Sequence, residues 1–334
     1  MRHQVFFSAL AALTLLLNGG SLLAQSAREP KKPAIVLAAF GTTEAGALKS
    51  ILNVKARIAA AFPGYDVHLA FTSNIIRGIW HKRAGDKGFR RKNPAVPQEI
   101  YQIANPLTTL ANIQESGSRP ILVQSLHITQ GEEFGDLKNI VGRLAGIKTM
   151  KPALNPFPWL ALGEPALGDG GPEYLAAAAR ALATLAEEAG KKNAALVLMG
   201  HGNENLEVAS YKKLEQALQK MYGPEVALGL VEGRPGFEEA LKEVEETGRK
   251  TVLLAPLMLV AGDHAKNDMA GHEEDSWASR FKARGYTVLT HLEGLGSNNA
   301  WADIYTEHLK AVEKNMLRPR RNKAEPGANR KAGA

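Results

Sequence analysis

"LVLMGHGN", Leu196–Asn203, is the stretch on which the fold turns. An apolar run ends in a histidine held between two glycines, as a buried strand does when it runs out into a loop. A near copy, "IVLAAFGT" (Ile35–Thr42), lies 161 positions earlier and sets Phe40 opposite His201 and Gly41 opposite Gly202. "VHLAFTS" (Val67–Ser73) matches "ALGLVEG" (Ala227–Gly233) at an offset of 160, with Thr72 opposite Glu232. "ILVQSLHITQGEEF" (Ile121–Phe134) matches "VLLAPLMLVAGDHA" (Val252–Ala265) at 131, with Gly131 opposite Gly262 and Glu133 opposite His264. The chain is therefore an internal repeat. The fall in offset from 160 to 131 places an insertion in the first copy, around "GIWHKRAGDKGFRRKNPAVPQ", Gly78–Gln98.

Between these strands lie segments of helical period, such as "EAGALKSILNVKARIAAAFPG", which stops at Pro63-Gly64. Strands alternating with helices predict parallel sheets covered on both faces. The expected architecture is α/β: two similar Rossmann-like domains, residues 33–165 and 166–315, with parallel sheets flanked by helices and a cleft between them.

Outside this body the ends differ in kind. Residues 1–27, "MRHQVFFSALAALTLLLNGGSLLAQSA", put one arginine before a short apolar stretch and small residues at its end, the layout of a secretory signal peptide. A periplasmic location follows. No later segment approaches the roughly 20 apolar residues a membrane span needs. Residues 316–334 are Pro-, Gly- and charge-rich with almost nothing to bury, and read as a disordered basic tail. Much of the net charge of +7 sits there, so the body is nearly neutral. The tail lacks interleaved aromatics, and nucleic acid is excluded as a partner.

In an open parallel sheet, ligands bind beyond the carboxyl ends of the strands. Three strand exits of the second copy carry His201, Glu232 and His264, where the first carries Phe40, Thr72 and Glu133. Cysteine is absent from the chain, so any transition metal must be held by imidazole and carboxylate. Two imidazoles and one carboxylate suit a divalent first-row metal with open positions. Spacing alone leaves a turn histidine and a satisfied core histidine as alternatives. The polar burst after Gly262 also reads as a helix start, with Asp263 capping and Asp268 in the first turn.

Taken in order, "AFGTT", "LAFTSNIIR", "VQSLHITQGEEF", "LVLMGHG", "LVEGRPG", "PLMLVAGDHAKNDMAG", "DSWASRF" and "GLGSNNA" resemble the anaerobic cobalt chelatases of the CbiK type. These are class II chelatases, the class that includes ferrochelatase. The resemblance implies ATP-independent insertion of Co(II) into sirohydrochlorin, with Fe(II) as a second candidate metal. It also implies that His201, Glu232 and His264 bind the metal. The export signal, the insertion after Arg77 and the basic tail depart from the family's core pattern.

On this reading His201 accepts a pyrrole proton, its glycine neighbours admitting a flat ligand. Phe40 and Met258 are expected to pack the macrocycle, and Arg77 to meet its carboxylates. The other basic residues between Asn74 and Lys92 are expected on a solvated loop. His81, beside Trp80, is the candidate for a second metal or haem contact. His68 and His127 read as satisfied core residues. "GRLAGIKT" (Gly142–Thr149) lacks the adjacent Gly-Lys of a phosphate loop, so no nucleotide is expected. The rival function is a periplasmic carrier of haem, another tetrapyrrole or a metal ion. A metal-dependent hydrolase is disfavoured because no second carboxylate and no GxSxG motif accompany the cluster. A homo-oligomer is compatible with the sequence, which does not specify one.

Overall fold

The computed structural model describes residues 31–203 and 209–317; the expected signal peptide and all but the first two residues of the expected tail lie outside them. The first half runs β1 (Ala34–Ala39), α1 (Leu48–Ala61), β2 (Asp66–Phe71), α2 (Asn74–Gly85), α3 (Lys87–Lys92), α4 (Pro106–Ser116), β3 (Ile121–Ser125), α5 (Glu132–Gly146) and β4 (Leu160–Gly163). The second runs α6 (Pro172–Ala181), α7 (Ala183–Lys191), β5 (Ala195–Gly202), α8 (Ala209–Tyr222), β6 (Val226–Glu232), α9 (Phe237–Glu246) and β7 (Thr251–Leu257). It continues through a wide π turn (Ala265–Met269), α10 (Trp277–Ala283), β8 (Thr287–Thr290) and α11 (Asn299–Leu317). Local chemistry sets several boundaries. Ser73 accepts the Ile76 N–H to start α2, and Asn105 accepts the Thr108 N–H to start α4, where Pro106 takes the first position.

Each half forms one parallel four-stranded sheet, in the orders β2-β1-β3-β4 and β6-β5-β7-β8. The repeat is thus a repeat of topology. In the centre the alignment holds to the residue, since Ala34 pairs with Ile121 and Ala195 with Val252. At the outer strand it slips by one: Leu37 pairs with Leu69, whereas Leu198 pairs with Leu228, which makes the β2-to-β6 offset 159 instead of 160. The reason is the period of two along a strand. Leu69, Phe71, Leu228 and Leu230 share one core layer. An offset of 160 would put Leu69 on Gly229, which faces the other layer, where an added Cβ would sit 2.7 Å from Trp277. The first-half counterpart of Glu232 is accordingly Ser73, the cap of α2.

The core has three layers. One apolar cluster is continuous across both halves, taking in Ile35, Leu37, Leu196 and Leu198 with Trp301 and Tyr305 of α11. Two outer clusters back the sheets separately. The final helix, α11, returns to pack on α1, β3 and β4, so by packing it joins the first half although it ends the second. There the Tyr305 hydroxyl donates to the Leu126 carbonyl at 3.1 Å, and Arg57 grips Asp303 through two 2.7 Å hydrogen bonds. The halves are locked at their helical layer and free to face each other at their strand exits.

The insertion folds as helix instead of open loop. Trp80 is fully buried and donates its Nε1–H to the Thr42 carbonyl at 2.8 Å, pinning α2 to the loop after β1. The Arg83 guanidinium lies over Trp80 and Phe89, at 4.8 and 4.4 Å from the ring centroids, and donates to the Thr43 carbonyl. Arg90 stacks over Tyr101. Apolar stems and cation–π contacts hold these cations against the fold. Among the described residues no helix is long and apolar enough to cross a membrane.

Candidate metal centre

The exits of β1, β3, β5 and β7 open on one cavity of about 290 Å³ with walls from both halves. The first half contributes Phe40, Thr42, Ile76, His127, Thr129 and Glu133 among others, and the second His201, Tyr211, Met258, Leu259, Asp263 and His264. A larger hollow of about 730 Å³ lies by β4, between Trp159 and Met316, and its lining carries no imidazole or carboxylate.

Local backbone chemistry brings His201 and Glu232 together. Gly202 pairs with Glu232 across β5 and β6 at a left-handed φ of 81°. A Cβ at Gly202 would lie 1.8 Å from the Glu232 carbonyl oxygen, and one at Gly200 would lie 2.8 Å from the Leu230 side chain. The two glycines therefore admit the neighbouring strand, and Gly202 also lines the cavity. With the strands this close, His201 Nδ1 comes within 3.9 Å of Glu232 Oε2 and 3.1 Å of the Gly202 carbonyl. The imidazoles of His201 and His264 meet edge to face, centroids 4.8 Å apart at 87°. All three side chains are partly exposed. In this arrangement no three His, Cys, Asp or Glu side chains among the described residues close around one point as a ready metal cage. His264 Nδ1 is engaged by Asp268 Oδ2 at 2.5 Å, and Glu232 is not among the residues lining the cavity.

Of the expected substrate contacts, Phe40 and Met258 stand on the cavity wall, and Phe40 is 45% exposed. Arg77 does not. Its buried guanidinium donates to the Phe71 carbonyl at 2.6 Å and the Thr72 carbonyl at 2.8 Å, and also to Asn74 Oδ1, so it seals the carbonyls at the β2 exit. His81, the candidate for a second metal or haem contact, places Nε2 2.8 Å from the Ile103 carbonyl. His68 lies near the start of β2, away from the strand exits.

Three cavity residues have places that the sequence reading did not assign to them. Glu133, at the place matched to His264, turns into the wall and supplies the second carboxylate whose absence was an argument against hydrolysis. Tyr211, in the first turns of α8, is buried beside Thr129 and the Gly202 backbone, and burial pushes its pKa up to about 12. It ties the two walls together. His127 pairs Nδ1 with the Ser125 hydroxyl at 2.8 Å, while its buried Nε2 finds no partner among the described residues. Desolvation lowers its pKa to about 4, keeping it neutral.

Two like α/β halves, each with a parallel four-stranded sheet, facing across a cleft define a protein of chelatase architecture. SirB from Bacillus subtilis, solved with Fe3+, superposes with a TM-score of 0.55 at 15% identity, over 85% of this chain and 97% of that one. A multi-domain chelatase-like protein from Deinococcus radiodurans superposes with a TM-score of 0.52 at 15% identity, over 84% of this chain and 55% of that one. The cobalt chelatase (CbiK) family profile matches residues 33–314, and the chain belongs to that family. It is 34% identical to the sirohydrochlorin cobaltochelatase CbiKC of Nitratidesulfovibrio vulgaris, over 84% of this chain and 90% of the relative. It is 30% identical to the sirohydrochlorin cobaltochelatase of Salmonella typhimurium, over 83% of this chain and 95% of the relative.

Proposed function

We propose that this protein is a sirohydrochlorin cobaltochelatase, inserting Co(II) into the tetrapyrrole without a nucleotide, with Fe(II) as the second candidate metal. The observation that carries the reading is the approach of His201, at the edge of a cleft shared by both halves, to Glu232 at 3.9 Å and to the His264 ring at 4.8 Å, the three coming from three strand exits. Two relatives named for this activity match over nearly the whole folded chain.

Metallation exchanges two pyrrole protons for one ion. Two neutral imidazoles and a carboxylate bind Co(II) exchangeably, the carboxylate being Glu232, 3.9 Å from His201. The macrocycle lies with one face on Phe40 and Met258. A cavity of about 290 Å³ is small for a tetrapyrrole, because ordinary ligand clefts run to roughly 300–1,000 Å³. The ring edge therefore enters and the carboxylate arms stay in water at the open side. His201, beside Glu232, takes up one pyrrole proton as the metal transfers, and the other leaves to water at the open side of the cleft. Arg77 shapes the wall by holding the β2 exit. The proposed setting is outside the cytoplasm, on the strength of the signal-peptide layout of residues 1–27.

The test mixes purified protein with sirohydrochlorin and Co(II) and follows the tetrapyrrole absorbance, with His201→Ala and His264→Ala alongside. Multiple turnovers lost in both variants are expected. Stoichiometric binding with no acceleration over the uncatalysed reaction identifies a carrier and overturns the proposal. Parallel runs with Fe(II) and Ni(II) assign the metal.

A further inference from the structure

We infer that Asp268 is a positioning residue for the metal ion: it fixes the ring of His264 and holds its proton on Nδ1, so that the Nε2 lone pair is presented to the incoming cation. The inference rests on reading His264 as a metal donor and extends that reading to a residue behind it.

The geometry begins with the π turn. His264 stands immediately before Ala265–Met269, and this wide turn sets Asp268 four residues on against the imidazole. Asp268 Oδ2 lies 2.5 Å from His264 Nδ1. A carboxylate only accepts hydrogen bonds, so at this distance the imidazole must carry its hydrogen on Nδ1. The other tautomer would set a nitrogen lone pair against the carboxylate's own. Nε2 is left unprotonated in the neutral ring, the state a cation requires. His264 lines the cavity and Asp268 does not, so the carboxylate works from behind the ring. One residue earlier, Asn267 Nδ2 donates to Asp263 Oδ1 at 2.8 Å and closes the same loop a second time.

The repeat offers an internal comparison. At the β7-to-β3 offset of 131, Glu133 stands where His264 stands, and Leu137, buried in the core, stands where Asp268 stands. The half without the imidazole is also without the carboxylate behind it. Stability does not explain the pair, because both side chains are more than a third exposed and such contacts add little. A carboxylate hydrogen-bonded to the far nitrogen of a metal-binding histidine orients the ring and raises its basicity.

The experiment titrates the full-length, metal-free protein with Co(II) and follows the visible ligand-field bands, comparing Asp268→Ala, Asp268→Asn and His264→Ala. Asp268→Ala is expected to weaken Co(II) binding about 10–100-fold with its melting temperature unchanged. Asp268→Asn, which keeps an oxygen acceptor at similar reach, is expected to restore most of that loss. In turnover, KM for Co(II) rises in Asp268→Ala while KM for the tetrapyrrole stays put. Wild-type Co(II) affinity in Asp268→Ala alongside lost affinity in His264→Ala overturns the inference and leaves the metal-site reading intact. Equal losses in both Asp268 variants overturn the orientation argument. Wild-type affinity in His264→Ala overturns the reading on which the inference rests.

Discussion

Replacing Gly202 by alanine tests how the site is assembled. The residue sits at a φ of 81°, where a non-glycine residue is strained by about 1–3 kcal/mol. The new Cβ would also fall 1.8 Å from the Glu232 carbonyl oxygen, well inside contact distance, and neither partner is a flexible side chain that can turn away. The β6 exit must therefore move, and the loss of stability should reach about 3 kcal/mol or more. For a domain of this size that lowers the melting temperature by roughly 6 °C or more. The displaced backbone carries the Glu232 side chain with it, opening the 3.9 Å approach to His201 and weakening Co(II) binding. Gly200→Ala is the matched control. Its Cβ meets the end of the Leu230 side chain at 2.8 Å, which can shift, and its backbone is not in the left-handed region. A loss of about 1–2 kcal/mol with Co(II) affinity retained is expected there. Thermal unfolding by circular dichroism and Co(II) titration read both quantities. If Gly202→Ala melts and binds like the wild type, or if the two variants are indistinguishable, the close approach of β5 and β6 is not what brings the donors together.

Trp80→Ala removes a fully buried indole and its bond to the Thr42 carbonyl, and should destabilise by about 3–5 kcal/mol in denaturant titration, with faster proteolysis within residues 74–92. Arg77→Met leaves the Phe71 and Thr72 carbonyls without their donor, at about 1–3 kcal/mol each, while KM for sirohydrochlorin changes little. A large rise in KM at full stability would restore Arg77 to the substrate contacts. His127 has a folded-state pKa of about 4 against 6.5 in the unfolded chain, so between these values the unfolded chain holds the extra proton. Its contribution is complete above pH 6.5 and declines as pH falls towards 4, by up to about 3 kcal/mol. The wild type should therefore lose more stability than His127→Gln between pH 7 and pH 5, and equal slopes would refute the buried, neutral imidazole.

The sequence carried the architecture because its signals are periodic. Apolar runs ending in glycine recur in the same order twice, and parallel strands buried on both faces leave few other solutions. His201, Glu232 and His264 were legible as departures of one copy from the other. What the repeat could not give was side-chain direction. A one-residue slip at β6 is invisible to an alignment of short apolar runs, yet it decides which face each residue takes. Arg77 looked like a free cation at a strand end, whereas buried carbonyls within reach claimed it. The insertion read as solvated by its charge, and Lys82, Lys87, Arg91 and Lys92 are exposed, but Trp80 and Phe89 supplied apolar surface on which Arg83 lies. The surroundings of Glu133, Tyr211 and Asp268 became visible only in three dimensions. Their neighbours across the cleft or around the π turn are contributed by segments whose approach no local pattern encodes. Composition and periodicity are properties of the chain and survive in the sequence. Whether a donor faces a metal, a carbonyl or water depends on what the rest of the fold brings up to it.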